Sequence, residues 1–372
     1  MGIALTVIIA LLVFGFLIFI HEFGHYITAR LFKVTIKEFS IGMGPKLVTF
    51  TSNKTDIEYS LGMFPIGGYV AMVGEDEDSD DPNAFNKKPA WQRFIITAAG
   101  ATVNIVAGFL AMIILVACVN PQAGVYANTV YGGAVETERL VEMYGEQLDF
   151  ELGPDGEAVL PYRSSDSDLR TGDKIIKING KRVTLYEELD YEIKRHGITP
   201  VDVTVIRDGE ELVVEDVRFP TISSEGQAFG IIDFAITGYN DKNIFTVLST
   251  AFRKSALTMR MCWESIYDLL TGRYTAAAIS GPVGISSAIG EAAKAGFLSL
   301  LNITVIISMN LGFMNLLPIP ALDGGRIAVI LIEMVTRKKL PARVEAIING
   351  VGLALLLLLS AVIMVKDVIG LF

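Results

Sequence analysis

The stretch FGFLIFIHEFGHYITARLF, Phe14 to Phe32, carries two histidines and a glutamate at the end of an uninterrupted apolar run. Ionisable groups in or beside lipid are costly, and where they occur they point to function. The run leading into them, Ile3–Ile20, has no Lys or Arg before it and no small-residue cleavage site after it. It reads as a retained membrane helix rather than a signal peptide. On a helix, residues four apart share a face, so His21 and His25 can chelate one zinc ion while Glu22 stands ready to activate a water. Taken alone, the H-E-x-x-H pattern also fits two helix-end histidines that hydrogen-bond at the membrane interface.

Composition agrees with a chain that lives partly in lipid. Half of the 372 residues are hydrophobic and only 19% are charged, which suits a membrane protein that also carries a soluble portion. The net charge of −10 argues against nucleic-acid binding, which wants a basic surface. Cys118 and Cys262 can form neither a disulfide framework nor a Cys-rich metal site. Both read as small buried hydrophobes.

Four segments, about 3–28, 94–119, 297–317 and 346–365, are long and apolar enough to span a bilayer of about 30 Å. Arg30, Lys33 and Lys37 follow the first span; Lys87, Lys88 and Arg93 precede the second. Arg326, Arg337, Lys338, Lys339 and Arg343 lie between the third and fourth. The positive-inside rule makes these two loops cytoplasmic and puts both termini and the long stretch 121–280 outside.

The first cytoplasmic loop contains FSIGMGPKLVTF and DIEYSLGMFPIGGYVAM separated by TSNK, which predicts a β-hairpin with apolar tips over 34–70. Beyond it, EDEDSDD (Glu75–Asp81) reads as a solvated acidic loop. In the outer stretch, LRTGDKIIKINGKRV (Leu169–Val183) predicts a strand between turns, and Thr184 with Glu187 predicts a capping box opening a helix. Asp208-Gly209 sits between two further strands as a hairpin turn. Together these make an α+β module of ordinary domain size. Residues 256–274 are amphipathic and predict a helix on the outer interface or under that module.

Catalytic zinc takes three protein ligands and leaves one position open. His196, the remaining histidine, is expected across the membrane from His21 and His25, so the third ligand should be a carboxylate. Asp323 follows Pro318 and Pro320 and precedes two glycines at the end of the third span. The prolines free backbone groups that lipid cannot satisfy unless the segment lines a cavity. A helix-capping Asp in a loop is the plainer account of Asp323 alone.

HEFGH, GMGP, PIGGYV, WQR, GPVGI and NLLPIPALDGG occur in the order found in site-2 proteases. The chain resembles, more narrowly, the bacterial regulator-of-sigma-E protease type, over nearly its whole length. The resemblance implies a polytopic α-helical membrane protein with four transmembrane helices, a membrane-associated β-hairpin and an inserted extracytoplasmic α+β PDZ-like domain. The corresponding division is 1–120, first membrane half; 121–222, PDZ-like domain; 223–296, connecting region; 297–372, second membrane half. It implies zinc held by His21, His25 and Asp323, with Glu22 as general base. It further implies that Asn315 and Asn310, with Gly42, Gly44, Gly67 and Gly68 of the hairpin, hold the substrate backbone.

The expected activity is regulated intramembrane proteolysis of single-span membrane proteins, usually after a first extracytoplasmic cut. Anti-sigma factors, cell-division proteins and signal-peptide remnants are the substrates the resemblance suggests, with a further peptide or substrate contact at the PDZ-like domain. The expected location is a bacterial inner membrane, with the active site toward the cytoplasm. The alternative from another class is a membrane protein that binds or transports a metal ion through the same three residues. The second span reads GATVN, with Ala101 where many relatives have proline. Its Asn104 is either a polar lining of the site or a helix–helix hydrogen bond.

Overall fold

The computed structural model of the chain describes residues 2–75, 77, 79–119, 130–152, 158–224, 227–237, 242–273 and 281–369. They fall into two units: 1–115 with 258–270 and 275–372, and 116–257 with 271–274.

The first unit opens with α1 (Ile3–Leu31), followed by β1 (Ile36–Thr51), β2 (Glu58–Met72) and α2 (Ala90–Cys118). The second contains β3 (Val130–Ala134), α3 (Thr137–Tyr144), β4 (Glu151–Leu152), β5 (Ala158–Val159), β6 (Lys174–Ile178), β7 (Lys181–Arg182) and α4 (Tyr186–His196). It continues with β8 (Val201–Arg207), β9 (Glu210–Val217), β10 (Thr221–Ser224), β11 (Gln227–Gly230) and β12 (Phe234–Thr237). Helix α5 (Ile244–Leu270) gives residues to both units, and α6 (Pro282–Ala295), α7 (Phe297–Leu316), α8 (Asp323–Thr336) and α9 (Ala342–Ile369) complete the first.

Among the described residues four helices, Ala4–Leu31, Ala90–Cys118, Phe297–Leu316 and Val344–Asp367, are long and apolar enough to cross a membrane. They overlie the four expected spans. Helix α9 leaves Leu355, Leu357, Leu358 and Val362 each at least 60% exposed. A helix apolar on every side and so little covered by protein needs lipid around it. Where helices do touch, glycine lets them: a Cβ on Gly24 of α1 would lie 2.6 Å from the Ala99 carbonyl of α2. Such small-residue contacts replace the hydrophobic driving force that lipid removes.

The expected hairpin is present. β1 and β2 pair antiparallel from Ile36 opposite Met72 to Thr51 opposite Glu58, with repeated register shifts between. Its base is anchored on α1 and α2 by a core of Val34, Ile36, Phe39, Val70, Met72 and Ile96. Tyr26 of α1 also meets Tyr59 of β2, hydroxyl to hydroxyl, at 2.7 Å. Its far part exposes Met43, Leu47, Val48, Phe50 and Met63, an apolar rim fitted to lipid or to an apolar partner.

In the second unit the strands order β12-β3-β6-β8-β9, with β7 on β6. Leu189 and Ile193 of α4 pack on Ile178, Val203 and Val205 of that sheet, all fully buried. Of the predicted turns, Asn179-Gly180 and Asp208-Gly209 occur where expected, every one of these four residues with positive φ. Because β12 pairs with β3, the sheet draws in residues well past 222. The predicted helix start shifts by one residue. Glu188, not Glu187, closes it, accepting from the Leu185 N–H and from the Thr184 N–H and hydroxyl at 2.7–3.1 Å. Thr184 acts as a donor there, which is why the capping spacing misled.

Three further differences stand out. Helix α5 begins twelve residues before the expected 256 and ends at Leu270; residue 274 lies outside the described residues. Helix α6 had no counterpart in the expected elements. Cys118, at the end of α2, is exposed rather than buried, and Cys262 on α5 is only half-buried.

Candidate metal centre

Three of the four candidate chemical residues converge. His21 and His25 face the same way, one turn apart on α1, with their Nε2 atoms 3.3 Å from each other. Asp323 Oδ2 lies 3.1 Å from His21 Nε2 and 3.3 Å from His25 Nε2. Both histidines are 8% exposed. Ligand atoms placed 2.0–2.2 Å from a tetrahedral zinc stand about 3.3 Å from one another. The triangle therefore has the size of one face of a zinc tetrahedron, and its nitrogen–nitrogen–oxygen donor set is that of a catalytic zinc site. Asp323 Oδ2 is buried and faces the two imidazole nitrogens alone, as the third member of a ligand triangle must.

Each ligand is held from behind. His25 Nδ1 donates to the Ile96 carbonyl at 2.9 Å, which leaves Nε2 as the free lone pair for a metal. Gly100 lets α2 come this close: a Cβ there would lie 2.3 Å from His25 Nε2. One turn along α2, the Asn104 side-chain nitrogen lies 3.3 Å from His21 Nδ1. Sequence reasoning had Asn104 in view with two readings open; Gly100 and the Ile96 carbonyl it missed. Helix α2 is continuous through Ala101.

Asp323 arrives differently from the expected loop. The prolines end α7 at Leu316, and Ala321 takes a positive φ of 73°. The chain then restarts as α8 with Asp323 as its first residue. Gly324 permits the tight return, since a Cβ there would lie 1.9 Å from the Leu317 carbonyl. Three ion pairs hold α8 in place. Arg93 of α2 meets Glu333 at 2.6 Å, and Arg326 pairs with Glu75 and, at 3.6 Å, with Glu345. Glu75 is thus a structural partner rather than part of a freely solvated acidic loop.

Glu22 is half-buried beside the triangle, and the hairpin reaches it: a Cβ on Gly68 would lie 3.2 Å from Glu22 Cγ. Gly67, Gly42 and Gly44 adopt positive φ within the hairpin. Asn310 and Asn315 lie half-buried on α7, and Asn310 Oδ1 is buried without a partner. Among the described residues neither asparagine hydrogen-bonds the cluster. His196 sits in the second unit, 3.5 Å from Glu192. An apolar cleft of about 420 Å³ follows α1 through Leu11, Phe14 and Ile18, facing Pro282, Ile285 and Ile363. It ends one turn before Glu22.

Comparison with known proteins agrees with the geometry. The family model described as peptidase family M50 matches residues 9–359. A protein of Clostridium acetobutylicum, provisionally named a zinc metalloprotease, is 32% identical over 98% of this chain and 97% of its own. Another of Fusobacterium nucleatum, named in the same way, is 32% identical over 99% of this chain and all of its own. The Bacillus subtilis protein named regulator of sigma-W protease RasP is 26% identical over 99% of both chains. Hydrolysis is thereby favoured over metal transport, and the chain belongs to peptidase family M50, as a multi-pass membrane zinc metalloprotease.

Proposed function

We propose that the chain cuts single-span membrane proteins within or beside the bilayer, using His21, His25 and Asp323 to hold zinc and Glu22 as general base. The observation that carries this reading is the triangle of donor atoms 3.1–3.3 Å apart, on a helix apolar enough to span the membrane. When bound there, zinc supplies Lewis acidity at its open coordination position. Glu22 accepts the proton of the attacking water on a carboxylate oxygen and passes it to the nitrogen of the leaving amine. His25, tied to the Ile96 carbonyl, keeps its ring plane fixed through the reaction.

A transmembrane helix hides its carbonyls in its own hydrogen bonds, so the substrate must unwind locally. The β2 backbone around Gly67 and Gly68 is the edge proposed to take it by strand addition, with Gly42 and Gly44 shaping that edge. Asn315 and Asn310 are proposed to hold freed backbone groups of the substrate. The apolar cleft beside Ile18 supports an apolar approach. By analogy with the sigma-W name of one relative, membrane-bound regulators of sigma factors are proposed substrates. The basic loops support a cytoplasmic active site in a bacterial cell membrane. The second unit is proposed as a PDZ-like domain, on the outer side, that limits access by size or contacts the substrate.

The deciding experiment is cleavage of a single-span model substrate in detergent by the wild type and by Glu22→Gln, with zinc measured in both. Zinc in both and cutting by the wild type alone is the expected result. Cutting that survives in the glutamine variant overturns the role of Glu22. Loss of zinc from Glu22→Gln would move that residue among the ligands.

A further inference from the structure

Asn104 is fully buried on α2, and its two amide ends are in different situations. The nitrogen lies 3.3 Å from His21 Nδ1, whereas Oδ1 has no hydrogen-bond partner. That arrangement serves a His21 that carries its proton on Nε2. Once Nε2 is a metal ligand, the proton must sit on Nδ1, which becomes a donor in need of an acceptor. His25 meets the same need with the Ile96 carbonyl. Among the described residues, the side chain at His21 Nδ1 is Asn104. A half-turn of the amide exchanges its nitrogen and oxygen, bringing Oδ1 to Nδ1–H. One amide end lacks a protein partner in either orientation, so the turn gives up no hydrogen bond.

The backbone is built for this pairing. Gly100 and Asn104, four apart on α2, face His25 and His21, four apart on α1, in antiparallel register. Ser308 of α7 donates to the Asn104 carbonyl at 2.9 Å, fixing that turn of α2 from the other side. Resting on the reading of His21 as a zinc ligand, we propose that Asn104 is a positioning residue for the metal centre. Its Oδ1 accepts from His21 Nδ1–H in the loaded protein and so fixes the ring's tautomer and plane. A generic interhelical contact would require neither an acceptor at this atom nor its preservation on substitution.

The test is zinc affinity of the full chain in detergent, by competition with a chromophoric chelator, for Asn104→Asp, Asn104→Leu, Asn104→Ala and His21→Ala. Aspartate keeps an acceptor at the position; leucine and alanine do not. The expected result is zinc binding about 10- to 100-fold weaker in the leucine and alanine variants, with aspartate at or above wild-type affinity. Should the leucine variant not fold, alanine against aspartate carries the comparison. Unchanged affinity in the variants without an acceptor, with zinc lost in His21→Ala, overturns the role of Asn104 alone. An aspartate variant as weak as alanine reduces Asn104 to packing and also overturns it. Zinc retained by His21→Ala would overturn the ligand reading itself.

Discussion

Gly100 of α2 and His25 of α1 stand so close that a Cβ at position 100 would lie 2.3 Å from the nitrogen that faces Asp323. Real Cβ atoms do not approach other atoms so closely, and the obstacle is a ligand ring rather than a flexible tail. Gly100→Ala is therefore expected to displace His25 and weaken zinc binding by at least about tenfold. The folded helix content should be unchanged. Chelator competition together with circular dichroism checks this; wild-type zinc affinity in the alanine variant would mean α1 and α2 can part at no loss.

Removing the metal should register as stability. A ligand that binds only the native state adds about 2.7 kcal/mol when present at 100 times its dissociation constant. Chelation is expected to lower the melting temperature of the wild type. Asp323→Ala should melt at the chelated temperature already and ignore both chelator and added zinc. A response of that variant equal to the wild type's would place the bound zinc elsewhere.

How far the sequence could be read follows from what each feature depends on. His21, Glu22 and His25 are legible because helical spacing alone puts them together, and the spans because length and apolarity alone define them. The two prolines marked the break before Asp323. They did not disclose that a helix restarts at Asp323 itself, because two glycines directly after it look like loop. Gly100 depends on the alignment of α2 against α1, which no local pattern encodes, and the Ile96 carbonyl is backbone common to every residue. Glu75 looked like one of many acidic residues; its partner Arg326 is 251 positions away.

The Arg93–Glu333 pair joins α2 to the helix that begins with Asp323, and both side chains are nearly covered, at 10% and 14% exposed. Breaking a buried pair by removing one member leaves the other charge unpaired, at about 3–5 kcal/mol. Glu333→Ala is expected to destabilise the first unit by roughly that amount, and to loosen zinc by freeing α8. Arg93→Met combined with Glu333→Leu should recover most of the stability, because no lone charge remains. Thermal melts of the three proteins decide it, and a single variant as stable as the wild type would exclude a structural role for the pair.

In the second unit Asp173 is 1% exposed and receives Arg207 through Nε and Nη2 at 2.8 and 2.7 Å. Burial pushes this carboxyl up, but the Arg207 hydrogen bonds and the Arg170 backbone N–H outweigh it and hold it below the ordinary 3.8. A depressed carboxylate stabilises the fold at every pH above the unfolded value and loses that contribution as pH falls through the folded one. Hydrogen exchange at β6 and β8, corrected for intrinsic rates, should therefore be flat from pH 7 to about 4 as far as this group is concerned. Protection should drop below that. In Asp173→Asn the acid-dependent part should vanish, with protection at neutral pH already lowered to the level the wild type reaches only in acid. An acid response undiminished in the asparagine variant would assign it to other carboxylates.

Gly68 offers the counterpart to Gly100, because it presses on the base rather than on a ligand. A Cβ there would lie 3.0 Å from the Ser40 carbonyl and 3.2 Å from Glu22 Cγ, tight contacts that a few tenths of an ångström of movement would relieve. Gly68→Ala should therefore leave zinc affinity at the wild-type level while shifting the Glu22 carboxylate. A misplaced general base gives up a contribution of about 10²- to 10⁴-fold, and a small displacement should forfeit part of it, lowering kcat roughly tenfold. Gly100→Ala lowers activity by emptying the site and should recover with excess zinc; Gly68→Ala should not. If excess zinc rescues the position-68 variant as well, the hairpin acts on the metal ligands, and its assigned place beside Glu22 is wrong.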